Sequence, residues 1–261
     1  MSKQAPHSAT SDAELLEWLR VEHAQPFEGW DFSFLKGRRI EQGDHHHWDL
    51  NGFIGTAWVD SHSILDVETG GGERMAEWIA AFGRKELMAA VEAYPPNVPV
   101  ARRMLEPLGV RVVTAAAASI PFLEASFDLI TNRHGHLAAA EVFRLLKPGG
   151  RLVTHQMGSD TNQEIRHWFG RSAARDRWDI GVARAQAEAA GLTVEHAAEA
   201  FHASWFLDAG AMAYYLKAVP WDVPDFEIDR YADRLLVLHR HIESEGSFET
   251  TIHQFLLVAR R

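Results

Sequence analysis

The sequence predicts an α/β protein with a mostly parallel sheet covered by helices on both faces. Three observations predict it. Short apolar segments alternate with helical ones at roughly 20- to 30-residue intervals, which is the spacing of crossover units. One such segment, Ser63-Ile64-Leu65-Asp66-Val67, runs into a glycine turn, Glu68-Thr69-Gly70-Gly71-Gly72, and helical periodicity starts directly after it. The chain has 261 residues, 46% of them hydrophobic, enough for one sizeable core with an appended lobe.

Taken in order, Ser11-Asp12 caps a helix through Leu19. From Pro26 to about Asn51 the chain is rich in Trp, Gly and His with no sustained period, which predicts a loop-rich segment. After the Ser63–Val67 strand, Met75, Ile79 and Phe82 fall at helical spacing and predict a helix over 73–82. MAAVEAY predicts the next strand, Val98 to Leu108 a helix, and Val110 to Val113 another strand. Phe127 to Thr131 is a strand preceded by the loop Ile120-Pro121-Phe122. Glu141 to Leu146 is helical and stops at Lys147-Pro148-Gly149-Gly150, before a strand over Arg151 to His155. Ala183 to Ala190 reads as a helix with Gly191 after it, then a strand over Leu192 to Val194. The stretch from Phe201 to Glu227 reads as aromatic and irregular, and His253 to Arg260 as a terminal strand. The expected organisation is an N-terminal helix and cap segment over 1–55, an α/β core over 56–200, and a C-terminal lobe with the final strand over 201–261.

The formal net charge is -10, with acidic residues spread along the chain. That balance disfavours phosphate backbones and anionic membranes as partners, so the expectation is no nucleic acid and no membrane. Absence of cysteine removes disulfides, thiolate nucleophiles and zinc-thiolate sites. The opening residues hold no apolar signal core, and no run reaches the roughly 18 apolar residues of a membrane helix, so a cytoplasmic location is expected. His45-His46-His47 invites a metal site, but three consecutive residues cannot all face one ion with good geometry; no metal is expected.

The order ILDVETGGGE, VEAYPPN, IPFLEASFDLITNRH and LLKPGGRLVTHQ resembles class I S-adenosylmethionine-dependent methyltransferases, in particular the type 11 subgroup. GWDFS before the core, and YYLKAVPWDVPDF and HQFLLVAR after it, are similar to stretches in bacterial members. The resemblance implies a Rossmann-like, doubly wound, seven-stranded mixed sheet with the ligand beyond the carboxyl ends of its strands. It also implies three cofactor contacts. Glu92 matches the carboxylate that grips the ribose hydroxyls. The glycine turn keeps Gly70 and Gly72 but has Glu68 where the first glycine belongs. The acidic residue that meets the adenine amine falls on Ala116, which has no acceptor. Asp66, Gly70, Gly72, Glu92 and Asn132 are the candidate cofactor-binding residues, and the two departures predict S-adenosylmethionine bound weakly or not at all. Together they amount to about a few hundredfold in affinity.

Three functions follow from this reading. The first is a methyltransferase-fold enzyme that performs a non-methylating acid/base reaction on a small polar, amino-bearing metabolite, such as a cyclisation with loss of a leaving group in bacterial natural-product biosynthesis. Its candidate catalytic residues are Glu68 as base or ammonium anchor, with Arg133, His134 and His155 stabilising an anion or moving a proton. The second is ordinary methyl transfer to a small molecule. The third is a non-catalytic partner subunit with the aromatics of Trp205 to Trp221 at an interface; a protein partner or a homodimer stays open. For Glu68 itself the plainer alternatives are exposure to solvent or a pair with Arg74. Trp30-Asp31 is a candidate for closing the pocket, and Tyr214, Tyr215, Trp221 and Phe226 for packing the C-terminal lobe.

Overall fold

The computed structural model describes residues 11–27, 31–42, 48–172 and 176–261. In chain order its elements are α1 (Asp12–His23), β1 (Arg39–Glu41), α2 (Leu50–Val59), β2 (Ser63–Val67), α3 (Glu73–Phe82), β3 (Leu87–Glu92), α4 (Val98–Leu105) and β4 (Arg111–Thr114). There follow β5 (Phe127–Arg133), α5 (Ala139–Leu145), β6 (Leu146–Met157), α6 (Gln163–Trp168), α7 (Ile180–Ala189), β7 (Thr193–Phe206), α8 (Ala209–Ala218), α9 (Ala232–Glu245) and β8 (Phe248–Arg260). The strands form one mixed sheet in the order β1-β7-β8-β6-β5-β2-β3-β4. Strands β6, β5, β2, β3 and β4 are parallel, β8 is antiparallel to β6, and β1 is antiparallel to β7.

The described residues thus hold eight strands where seven were expected. The additional one is β1, three residues long and at the sheet edge, inside the segment that reads as loop. Strands this short carry no detectable alternation.

Two compact units make up the chain. The larger is His46–Gly158, Arg177–Ala200 and Gln254–Arg261; the smaller is Met1–His45, Ser159–Asp176 and Phe201–His253. In the larger unit every residue of β2 is buried, as a central parallel strand requires. Helix α3 buries Met75, Trp78 and Ile79 along one stripe. Its start depends on Gly72, where φ is +91° and a Cβ would lie 2.6 Å from Leu105 Cγ. Helix α2 went unread in the sequence because Gly52 and Gly55 interrupt its apolar pattern. A Cβ on Gly55 would come within 3.0 Å of the Phe82 ring, so that glycine serves close packing between α2 and α3.

Strand order reverses between β2 and β5, whose ends align Val67 with Asn132. A reversal of this kind marks the place, beyond the carboxyl ends of the strands, where doubly wound sheets bind ligands.

The smaller unit corrects the expectation of irregular structure over 201–227. Phe201 to Phe206 completes β7, and α8 follows with Asp208 as its N-cap, accepting from the Ala211 amide at 2.7 Å. Almost every residue of α8 is buried. A helix apolar on all sides shows no stripe, so periodicity could not reveal it. Tyr214, Tyr215 and Phe226 lie in this unit's core, while Trp221 is 52% exposed. Helix α1 starts at a complete capping box between Ser11 and Glu14, as its N-cap sequence predicts. Among the described residues no helix is long and apolar enough to cross a membrane.

Candidate active site at the strand ends

Glu68 sits at φ +57°, the left-handed region that glycine occupies freely and other L residues occupy at a cost of about 1 kcal/mol. Its carboxylate has a partner: Oε2 accepts a hydrogen bond from the His136 amide at 2.9 Å. The contact is close enough to dictate residue 135. A Cβ on Gly135 would stand 2.4 Å from Glu68 Oε2 and 2.7 Å from its Cβ. Arg74 pairs with Glu77 at 2.6 Å, and the alternative of an ion pair between Arg74 and Glu68 is not realised among the described residues. Glu68 is half-buried against the turn 134–136 and not directed wholly to solvent.

Glu92, buried at the end of β3, ties the glycine turn to its own strand. Oε2 accepts from the Gly70 amide and Oε1 from the Tyr94 amide, both at 2.7 Å. Each carboxylate oxygen has a second acceptor position left for a ligand donor.

Asp66 is buried in β2, and its Oδ1 accepts from the Thr131 hydroxyl at 2.6 Å. Burial pushes its carboxyl up to about 6, partly opposed by that hydroxyl. A folded-state value above the unfolded 3.8 means the protonated form stabilises the fold fully below about pH 4, and this contribution is lost as pH rises through about 6. Asp66→Asn keeps an acceptor for Thr131 and cannot ionise. It is expected to raise stability at pH 7.5 by about 2 kcal/mol and to flatten the profile between about pH 4 and 6. Urea unfolding across that range measures it; an unchanged pH profile would show that Asp66 is not the responsible group.

Asn132 is hydrogen-bonded within the sheet through both ends of its side-chain amide. Its Nδ2 donates to the Val67 carbonyl at 3.0 Å, and its Oδ1 accepts from Thr154 Oγ1 at 3.1 Å and Gln156 Nε2 at 2.6 Å. Arg133 ends β5 opposite His155 in β6. Its guanidinium is held below the usual arginine range by burial and by Arg74, with Asp66 acting in the opposite sense. His134 has φ +56° and its amide donates to the His155 carbonyl at 2.8 Å. Its exposed ring lies 5.0 Å from the buried His155 ring, which meets Trp48 at 5.9 Å on an edge.

The turn after β5 therefore brings Glu68, His134 and His155 together, while Glu92 and Gly70 form a separate clasp at the end of β3. Ala116 is exposed and contributes only its carbonyl, which accepts from the Ser119 amide at 2.9 Å. Gly135 and Trp48 were missed in the sequence. A glycine between two histidines after a strand was a usable signal for the first; nothing local marked the second. Trp30 and His45 to His47 lie outside the described residues, and Asp31 accepts from the Ser33 amide at 2.8 Å.

Fold and strand order define an α/β protein whose sheet has its switch point between β2 and β5, where doubly wound sheets bind ligands. Residues 65–154, which contain both the turn and the clasp, match the Methyltransf_11 methyltransferase domain family. A demethylmenaquinone methyltransferase of Thermus thermophilus is 34% identical over 99 residues, covering 34% of this chain and 44% of that protein. A ubiquinone/menaquinone C-methyltransferase of Psychromonas ingrahamii is 28% identical over 141 residues, covering 50% and 56%. The chain spans about half the length of the curated relatives it matches. Among solved structures, a Bacillus halodurans protein superposes with TM-score 0.56 at 18% identity over 81% of this chain and 98% of that one. The YcgJ protein of Bacillus subtilis does so with TM-score 0.55 at 18% identity over 83% and 99%. The chain has the Rossmann-like α/β fold of class I methyltransferases, and its residues 65–154 carry the match to the methyltransferase domain family.

Proposed function

We propose that the chain is an S-adenosylmethionine-dependent methyltransferase of a small molecule. The Glu92 clasp carries this reading: the glycine-turn amide of Gly70 and the strand-end carboxylate are already joined at 2.7 Å, with acceptor positions to spare for two hydroxyls. Glu68 does not oppose it as an unpaired charge, because its carboxylate takes the His136 amide. When bound, the cofactor supplies an electrophilic methyl group on a sulfonium. The protein's own part is then positioning and proton transfer. Gly70 and Gly72 let backbone approach the ligand closely, Glu92 receives the ribose hydroxyls, and Arg133 stabilises negative charge at the end of β5. The exposed imidazole of His134 takes the proton from the methyl acceptor, backed by the ring of His155.

Ala116 favours a second reading. The side chain offers nothing to an adenine amine, and the curated relatives cover only part of this chain, so a non-methylating acid/base reaction on a small polar metabolite is the competing function. Titration calorimetry with S-adenosylmethionine separates the two. Binding in roughly the low micromolar range supports methyl transfer, and none at about millimolar concentration overturns it. Where binding is present, Ala116→Asp is expected to strengthen it about tenfold by supplying the missing acceptor.

A further inference from the structure

We propose that Glu68 is a positioning residue: a strut, paired with Gly135, that holds the turn 134–136 and through it the His134 imidazole. The proposal rests on the reading of His134 as proton acceptor. Strands β2 and β5 are hydrogen-bonded neighbours, and their last paired residues are Val67 and Asn132. The chain leaves both strands beside each other, and both exits use the left-handed region, at Glu68 (φ +57°) and His134 (φ +56°). Neither residue is a glycine, so each conformation needs a contact that holds it.

The contacts are visible on both sides of the turn. The His134 amide donates to the His155 carbonyl at 2.8 Å, which fixes the turn to β6. The His136 amide donates to Glu68 Oε2 at 2.9 Å, which fixes it to β2. A carboxylate acceptor makes the second bond the stronger type. Between the two anchored amides lies Gly135, and the Glu68 side chain fills the space where its Cβ would be, with Oε2, Cβ and Cδ at 2.4, 2.7 and 3.0 Å from that position. Residue 68 carries a side chain because residue 135 does not. The two positions are one packing unit across 67 residues of sequence. Its product is a fixed backbone under His134, whose ring rests 5.0 Å from that of His155.

A stabilising role alone would not require His134 to respond, so the test reads both the turn and the imidazole. Amide hydrogen exchange by NMR on the full chain is expected to show the His136 amide protected. Glu68→Gly should speed its exchange at least tenfold while core amides of β5 such as Ile130 stay unchanged, and Glu68→Gln, which keeps an acceptor oxygen, should recover most of the protection. In the same variants, acylation of His134 by diethyl pyrocarbonate, followed by mass spectrometry, is expected to accelerate in Glu68→Gly and return toward the native rate in Glu68→Gln. Gly135→Ala alone should lower the unfolding midpoint by several degrees, and combining it with Glu68→Gly should remove most of that loss. Equal exchange and acylation rates in all three proteins, or a Gly135→Ala penalty that persists without Glu68, would overturn the proposal. None of these measurements uses S-adenosylmethionine, so a failure of cofactor binding leaves the strut tested on its own.

Discussion

Asp222→Ala is expected to destabilise the smaller unit by about 3 to 5 kcal/mol, the cost of removing one member of a buried ion pair. Arg166 and Asp222 are 3.3 Å apart, with side chains 3% and 1% exposed. Asp222 also accepts from Asn162 Nδ2 at 2.8 Å, and Asn162 in turn donates to the Tyr215 hydroxyl at 2.9 Å. Asn162 itself sits at φ +59°, so its side-chain bonds hold a left-handed residue at the start of α6. Removing the carboxylate takes an ion-pair partner away from a buried guanidinium that also donates to the carbonyls of Thr161 and Ser159. Asp222→Asn keeps an acceptor and should cost less than Asp222→Ala. Replacing both partners together, Arg166→Met with Asp222→Leu, should recover most of the stability, because no charge then remains to be desolvated. Urea unfolding followed by tryptophan fluorescence measures the series. A loss below about 1 kcal/mol in Asp222→Ala would mean that the pair is solvated and the network is not a core element.

That network shows which structures a single sequence conceals. Arg166 and Asp222 are 56 residues apart, and neither neighbourhood has a motif or a period that points to the other. By contrast, the β2 strand, its glycine turn and α3 were legible because three local signals agree there: an apolar run, glycines where φ turns positive, and a helical stripe. Helix α8 failed the same procedure for a definite reason. With almost every residue buried it has no polar face against which an apolar stripe could stand out. The site was legible to a similar degree. Glu92 could be placed by its position at a strand end. The role of Glu68 could not, because it depends on the His136 amide and on the empty side of Gly135, contacts that exist only once β2 and β5 pair. Asn132 shows a further kind of contact that sequence does not carry: its side-chain amide bonds to the Val67 carbonyl, Thr154 and Gln156 within the sheet.

Glu92→Gln has the largest expected effect on ligand binding, and it discriminates between a cofactor residue and a turn clamp. The native carboxylate accepts the Gly70 and Tyr94 amides, one on each oxygen. A glutamine has a single acceptor oxygen, so its amino group must face one of those two backbone donors. One part-buried N–H then loses its partner whether or not a ligand is present, and stability should fall by about 1 kcal/mol. If the carboxylate also receives two ribose hydroxyls, the amide can serve only one of them and without its charge. The lost charge-assisted bonds amount to about 3 kcal/mol, roughly a hundredfold in affinity for S-adenosylmethionine. Glu92→Asp keeps the charge but withdraws it by one methylene, so it should lose both contacts by distance. Thermal unfolding and titration calorimetry on the same preparations separate the two effects, because the backbone contacts act in the free protein and the hydroxyl contacts only in the complex. Lower stability with lower affinity in both variants supports cofactor binding at this clasp. Lower stability with unchanged affinity would reduce Glu92 to a residue that shapes the turn, and the methyltransferase reading would lose the observation on which it stands.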